Sequence, residues 1–443
     1  MNSYAERRAR LIAQMHAKGG GVAIIPTAPE VMRNRDADYP YRHDSYFYYL
    51  SGFTEPEALI VLVAGKTDHT ILFCREKNLE REIWDGYRYG PEAARETFGF
   101  DAAHPIGALD SEMPKLFADA PALFHALGHD AKLDARVQDW LRSVRMQARA
   151  GVTAPTTMHD VHVLLDEMRL FKDAGEVDIM RRAAAISARA HQRAMQAARA
   201  GLREYHLEAE LLHEFRSSGS QFPAYGSIVA TGANACVLHY RASDAELRDG
   251  DLVLIDAGCE LDGYASDITR TFPVNGRFSG PQKALYEIVL AAQAAAIAET
   301  RPGKSFMAGH DAAVQVLAQG MLDTGLLDRN KVGSLQDVIE KGAYRQFYMH
   351  RTGHWLGMDV HDVGDYREAE AVNGERPWRK LAPGMVLTIE PGIYVRPEPG
   401  VPEQYWNIGI RIEDDALITA NGCEILTEAA PKTVAEIEAV MKR

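Results

Sequence analysis

The stretch Leu252-Val-Leu-Ile-Asp256-Ala-Gly-Cys-Glu-Leu-Asp262-Gly263-Tyr-Ala-Ser-Asp267-Ile-Thr-Arg-Thr271 reads as a β-hairpin. Its first five residues are a continuous apolar run ending on a carboxylate, and Asp262-Gly263 is a favoured two-residue turn, because both central positions need positive φ. A turn at that point fixes the register. Position 256 faces 269, and since side chains alternate with period two, position 267 lies on the same face as 269. Asp256 and Asp267 therefore point the same way. Two carboxylates diagonal to each other on one face repel. A cation between them removes the conflict; the alternative, two acids on a solvated face, is left open by the hairpin alone.

Three further segments carry groups of the same kind. Gly409-Ile-Arg411-Ile-Glu413 alternates, so Arg411 and Glu413 share one face and Ile410 and Ile412 belong to a core; an ordinary surface ion pair is the alternative. Glu390 closes the apolar strand Val386-Leu-Thr-Ile-Glu390 and is followed at once by Pro391-Gly392, which sets a carboxylate at the mouth of a sheet; an ordinary strand end is the alternative. His350, His354 and His361 fall within twelve positions. They would share a helix face, but Gly353 and Gly357 argue against a long helix there. Beside four carboxylates, three imidazoles point to metal ligands and acid–base groups more than to core histidines. The pattern is not the HExxH zinc motif. Four carboxylates with one imidazole carry about four negative charges, which two divalent ions neutralise. Such an oxygen-rich set suits manganese, cobalt or iron, and zinc is also compatible.

At 443 residues the chain is long enough for two domains. A helix over 3–18 and strands over 22–26, 58–63 and 70–74 predict an N-terminal α/β layer. A helix-rich stretch over 183–212 follows Asp173, which caps a helix with Glu176 three residues on, so the boundary is set between 1–172 and 173–443. Beyond it, strands are expected at 227–231, 252–256, 266–271, 386–390 and 409–413, with helices at 281–300 and 305–323. The fold class is α/β with an α+β second half.

A net charge of -13 without a basic patch argues against nucleic acid as partner. The longest apolar run, Ala58 to Ala64, is far short of a membrane span, and the N-terminus has no apolar core of signal-peptide length, so neither membrane insertion nor export is expected. The four cysteines form no CxxC pair and signal neither a disulfide framework nor a thiolate zinc site; a cytoplasmic location is expected.

Taken together, the segments LIDAG, SDITRTFP, HWLGMDVHD, TIEPGIY and IRIEDD resemble the metallopeptidases of the pita-bread fold, which include methionine aminopeptidase, prolidase and aminopeptidase P. The N-terminal YRHDSYFYYLSGF with EPEA, and later LHY, HW and EQY, look most like bacterial aminopeptidase P. The resemblance implies an N-terminal α/β domain serving oligomerisation and substrate access, then a catalytic domain with a curved antiparallel sheet. It implies two divalent ions, manganese first: Asp267 and Glu413 bridge both, Asp256 binds one, and His354 with Glu390 binds the other. A hydroxide between the ions is then the nucleophile, and Glu390 the proton shuttle. His350 and His361 donate to the substrate carbonyl or tetrahedral intermediate, His239 reaches the bound peptide, and Tyr394 and Arg411 match positions near the prolyl pocket. The implied substrates are peptides with proline second, cleaved before the proline, and the implied assembly is a homodimer or homotetramer. Prolidase activity on Xaa-Pro dipeptides is the alternative. A catalytically dead peptide-binding module of the same fold is a third reading, marked by lost ligands; here all five ligand positions are filled.

Overall fold

The structure is a computed structural model that describes residues 3–241 and 244–442. The chain forms two compact units, Met1–Met168 and Arg169–Arg443.

The first unit is built on a six-stranded mixed sheet in the spatial order Ala102–Pro105, His69–Cys74, Leu59–Ala64, Gly21–Pro26, Ala122–Phe124, Thr157–His159. The three middle strands, joined by short connections or flanking the core, pair antiparallel, and the outer strands add in parallel. The run Leu59-Ile-Val-Leu-Val is apolar throughout because the strand is covered on both faces. Leu109, Met113 and Phe117 of one helix and Val137, Trp140 and Val144 of another close a core with Val22, Ile24, Val61 and Phe73. These helical positions recur every three or four residues, the spacing of one buried face.

The second unit is antiparallel. Leu252–Asp256 lies between Ile228–Thr231 and Thr269–Pro273; Asp414–Ile418 lies between Val386–Ile389 and Cys423–Ile425; Gly392–Val395 pairs with Ile408–Arg411. These groups are joined at one point that matters for the site: Glu413 N donates to Thr269 O at 3.0 Å, and Thr269 Oγ1 donates to the Glu413 carboxylate at 2.6 Å. Helices Ala174–Ala197, Glu204–Ser217, Gly280–Glu299 and Ala308–Asp323 pack outside one continuous core that includes Leu207, Val253, Phe272, Val289, Leu317 and Ile410. The first of them opens on the capping box of Asp173 and Glu176.

The hairpin keeps the expected register, with Asp256 opposite Thr269 and Leu261 opposite Tyr264, and its turn has φ 50° at Asp262 and 81° at Gly263. Its second arm is interrupted: Tyr264–Ala265 is paired, and the strand expected over 266–271 resumes only at Thr269. At the interruption Ser266 N still donates to Cys259 O at 3.0 Å and Ala257 N to Ile268 O at 3.0 Å, but Asp267 N leaves the ladder and donates to the Asp415 carboxylate at 3.1 Å. The outer half of the hairpin, from Cys259, instead joins Phe222–Pro223. At the break a Cβ on Gly258 would stand 1.7 Å from Ser266 O, so only glycine fits.

The histidine-bearing segment is not helical. It runs antiparallel along Val386–Ile389: Glu390 N donates to Thr352 O at 2.8 Å, Thr388 N to His354 O at 2.9 Å, and Leu356 N to Val386 O at 3.0 Å. Gly353 permits this approach, since a Cβ there would lie 2.0 Å from Thr388 O.

Candidate active site

Five of the expected residues converge because the second unit brings three strand ends and the histidine segment to one place. Asp256 ends one strand, Asp267 follows the break in the hairpin, Glu390 and Glu413 each sit one or two residues past a strand, and His354 lies on the segment alongside. All five line a single cleft of about 650 Å³, with His239, His350, His361 and Arg411 also on its wall. That volume is in the range of small-ligand pockets. Donor atoms of Asp267, His354 and Glu413 lie within 4.8 Å of one another. His354 Nε2 is 3.5 Å from Asp267 Oδ2 and 3.8 Å from Glu390 Oε1.

The surroundings of these groups constrain their protons. His354 Nδ1 is 2.9 Å from Trp355 O, a contact only an N–H can make, so the lone pair of a neutral ring sits on Nε2 and faces the carboxylates. Burial raises the proton affinity of Glu413, and the adjacent Asp267, Glu390 and Asp256 charges raise it further; its pKa lies well above the usual range. Asp267 is raised in the same way, by burial first, despite His354 beside it. Burial pushes Glu390 up to about 7. Burial disfavours charge on His354 as well, but the hydrogen bond to Asp267 and the Glu390 charge outweigh it and hold the ring up to about 9. Proton affinity is thus raised on both members of the Asp267–His354 pair, the direction in which a crowded buried acid cluster is pushed. Divalent cations relieve the same crowding, so this donor set fits metal ions.

Sequence reasoning leaves Arg411 and Glu413 open as a surface pair; both are buried. Arg411 Nη2 donates to Asp256 Oδ2 at 2.5 Å, Nη1 to Tyr394 OH at 3.0 Å and Nε to Thr269 Oγ1 at 3.1 Å. Tyr394 is buried behind that guanidinium, and its hydroxyl lies 2.8 Å from His350 Nε2. His350 Nδ1 donates to Arg351 O at 2.8 Å, so both ring nitrogens are engaged. Burial and then Arg411 push His350 down to about 4. His361 is also lowered, by burial and then by His354 and His239. Its ring stands edge-on to that of His354, 4.3 Å between centroids.

The residues that sequence reasoning does not single out are the supports. Tyr225 OH lies within bonding distance of Asp256 Oδ1, at 2.6 Å, and of Asp267 Oδ1. Nothing in its surroundings Phe-Pro-Ala-Tyr225-Gly has a period or spacing that would mark it. Thr388 donates to Glu390 Oε1 at 3.5 Å and accepts from His354 N at 3.1 Å. Thr388 was within reach of the sequence, since it shares a strand face with Glu390 at i−2.

Comparison with known proteins bears on this geometry. The profile of metallopeptidase family M24 matches residues 178–420, and that of the aminopeptidase P N-terminal domain matches residues 4–124. The chain belongs to metallopeptidase family M24. An Xaa-Pro aminopeptidase of Escherichia coli K12 is 45% identical, covering 99% of this chain and 97% of the relative, and one of Haemophilus influenzae is 43% identical over 99% and 96%. Among solved structures, Pseudomonas aeruginosa aminopeptidase PepP superposes with a TM-score of 0.94 at 52% identity, covering 99% of this chain and 97% of that one. An E. coli aminopeptidase P solved in complex with substrate gives a TM-score of 0.94 at 45% identity over the same shares. As in these M24 relatives, an N-terminal α/β unit precedes a pita-bread unit, and within the latter this chain's clustered acids and His354 form the candidate metal centre.

Proposed function

We propose that the chain is an Xaa-Pro aminopeptidase that releases the N-terminal residue of peptides with proline second, with two divalent ions, manganese first, held by Asp256, Asp267, His354, Glu390 and Glu413. The observation that carries this reading is the convergence of Asp267, His354 and Glu413 within 4.8 Å under a cleft lined by the two remaining acids. It is supported by relatives of that name that match end to end. The catalytic domain in this reading is 173–443.

When bound, divalent ions lower the pKa of water and polarise a carbonyl. The chain's own residues do the rest. Glu390, at the cleft wall, takes the proton of the attacking water and delivers it to the prolyl nitrogen as the bond breaks. That nitrogen belongs to a tertiary amide and carries no N–H, so recognition falls to the shape of the pocket. His361 and His239, both facing the cleft, donate to the oxygen on which negative charge develops. His350 contributes by the same route only after exchanging Tyr394 or Arg351 O for the substrate.

Arg411 favours aminopeptidase over prolidase. A dipeptidase must bind a carboxylate directly on the proline, and here all three guanidinium nitrogens are held by Asp256, Tyr394 and Thr269. The test compares kcat/KM for Ala-Pro-Ala with that for Ala-Pro on one metal-loaded preparation. The tripeptide is expected to be preferred. A dipeptide preference of tenfold, about 1.4 kcal/mol in transition-state binding, assigns the chain to prolidase instead.

Assembly as a homodimer or homotetramer through the first unit is supported by the short helix Leu79–Asp85, which buries none of its residues and leaves Ile83 and Trp84 each 80% exposed. Light scattering on wild type and Trp84→Glu tests this. A cytoplasmic location accords with four unpaired cysteines, three of them buried. No helix among the described residues is long and apolar enough to cross a membrane.

A further inference from the structure

His361 and its chain neighbour face opposite ways. The imidazole lines the cleft against His354, while the side chain of Asp362 turns inward and is 1% exposed. There it meets a compact charge cluster. Asp362 Oδ1 accepts from Arg169 Nη2 at 2.7 Å and Oδ2 from Lys172 Nζ at 2.9 Å; Arg169 Nη2 also reaches Asp359 Oδ2 at 2.8 Å. Both cations come from the first four residues of the second unit, and Lys172 is itself fixed through its backbone N–H to Gly384 O at 2.9 Å.

The same residue closes the turn. Asp362 N donates to Trp355 O at 2.9 Å, Gly357 N donates to Asp359 O at 3.2 Å, and Ala265 N donates to Gly357 O at 2.8 Å. The carboxylate packs so tightly under Gly357 that a Cβ there would lie 2.1 Å from Asp362 Oδ2. Residues 355–362 therefore form a closed loop with His354 at its entry, His361 near its exit and the Asp362 carboxylate as its inner anchor. None of Arg169, Lys172 or Asp362 lines the cleft, so the cluster takes no direct part in the chemistry.

Buried ion pairs contribute little net stability compared with well-packed apolar groups, but they admit few alternative geometries. A donor to a transition state has the opposite need. Its value depends on placement to a fraction of an ångström, and a shift of about 1 Å costs orders of magnitude in rate. We propose that Asp362, held by Arg169 and Lys172, is a positioning residue that fixes the His361 ring against His354 and the reacting carbonyl. This rests on the peptidase reading above.

The test is a double-mutant cycle in the metal-loaded, full-length protein. Asp362→Asn keeps size and one acceptor oxygen. It is expected to keep wild-type metal content and to lower kcat on Ala-Pro-Ala by about tenfold or more, with KM changed less than about threefold. Added to His361→Ala it is expected to cost nothing further, because the anchor then has no ring to place. Unchanged kcat in Asp362→Asn, or a loss that multiplies with that of His361→Ala, overturns the proposal. Should Asp362→Asn fail to fold, Lys172→Met is carried through the same cycle and judged by the same outcomes. If the wild-type chain cleaves no Xaa-Pro peptide, the proposed function fails on its own. The positioning claim is then read from the ¹⁵N shifts of the His361 ring, which Asp362→Asn must move and which overturn it if they stay put.

Discussion

Glu413 is the most buried of the four carboxylates in the candidate metal centre. It is buried, accepts Thr269 Oγ1 at 2.6 Å, and is crowded by three other carboxylates that raise its pKa. Glu413→Ala is expected to lose at least one equivalent of metal, since no water replaces a charge at the centre of the cluster. Elemental analysis that still finds two tightly held ions removes Glu413 from the ligand set. His361→Ala is expected to keep its metal while turnover falls about a hundredfold, the usual cost of an oxyanion donor. Full turnover in that variant excludes His361 from the mechanism. The acids and histidines were legible in the sequence because charge at a strand end or on an alternating face is costly and so conspicuous. Tyr225 was not, because a lone tyrosine in a loop is unremarkable until Asp256 and Asp267 are brought to either side of its hydroxyl.

At the scale of elements, the hairpin shows which features sequence can carry. Asp262-Gly263 set the register correctly from Asp256 to Tyr264, because a two-residue turn with positive φ leaves no other pairing. The interruption of the second arm between Ala265 and Thr269 was not foreseen, since Asp415, which takes the Asp267 N–H, lies far off in the chain and no local rule exposes it. The histidine segment was readable only as non-helical. That it lies along Val386–Ile389 depends on Gly353, and Gly353→Ala is expected to cost about 2–4 kcal/mol by forcing the two backbones apart. Denaturant titration measures it, and a loss below about 1 kcal/mol means the neighbouring strand yields more easily than the 2.0 Å approach implies. For contrast, Asp173→Ala removes a capping box on an ordinary helix and is expected to cost only about 1 kcal/mol.

For the molecule as a whole, the acid cluster links stability to pH and to metal. In the metal-free protein the Glu390 carboxyl sits at about 7 instead of its ordinary 4.5, and His354 at about 9 instead of 6.5. Both folded values are raised, so their stabilisation is complete below the ordinary values and is lost as pH rises through about 7 and then about 9. His350, lowered to about 4 from 6.5, acts on the other side and weakens the fold as pH falls through that interval. Metal binding needs the acids ionised, so its stabilisation grows with pH. The Tm difference between loaded and metal-free protein is thus expected to widen from about pH 6 to about pH 8; a constant or narrowing gap in thermal scans places the metal elsewhere. The two-unit plan was legible from length and from the Asp173 signal, whereas the continuous core of the second unit, drawn from helices and strands distant in sequence, was not. That remoteness also sets a timetable for synthesis. The contact joining Thr269 to Glu413 spans 144 positions, so a ribosome-bound chain has already released Asp256, Asp267, His354 and Glu390 before their last partner emerges. Until then the acids have no closed site, and a transcript truncated before Glu413 yields a chain in which the centre never assembles.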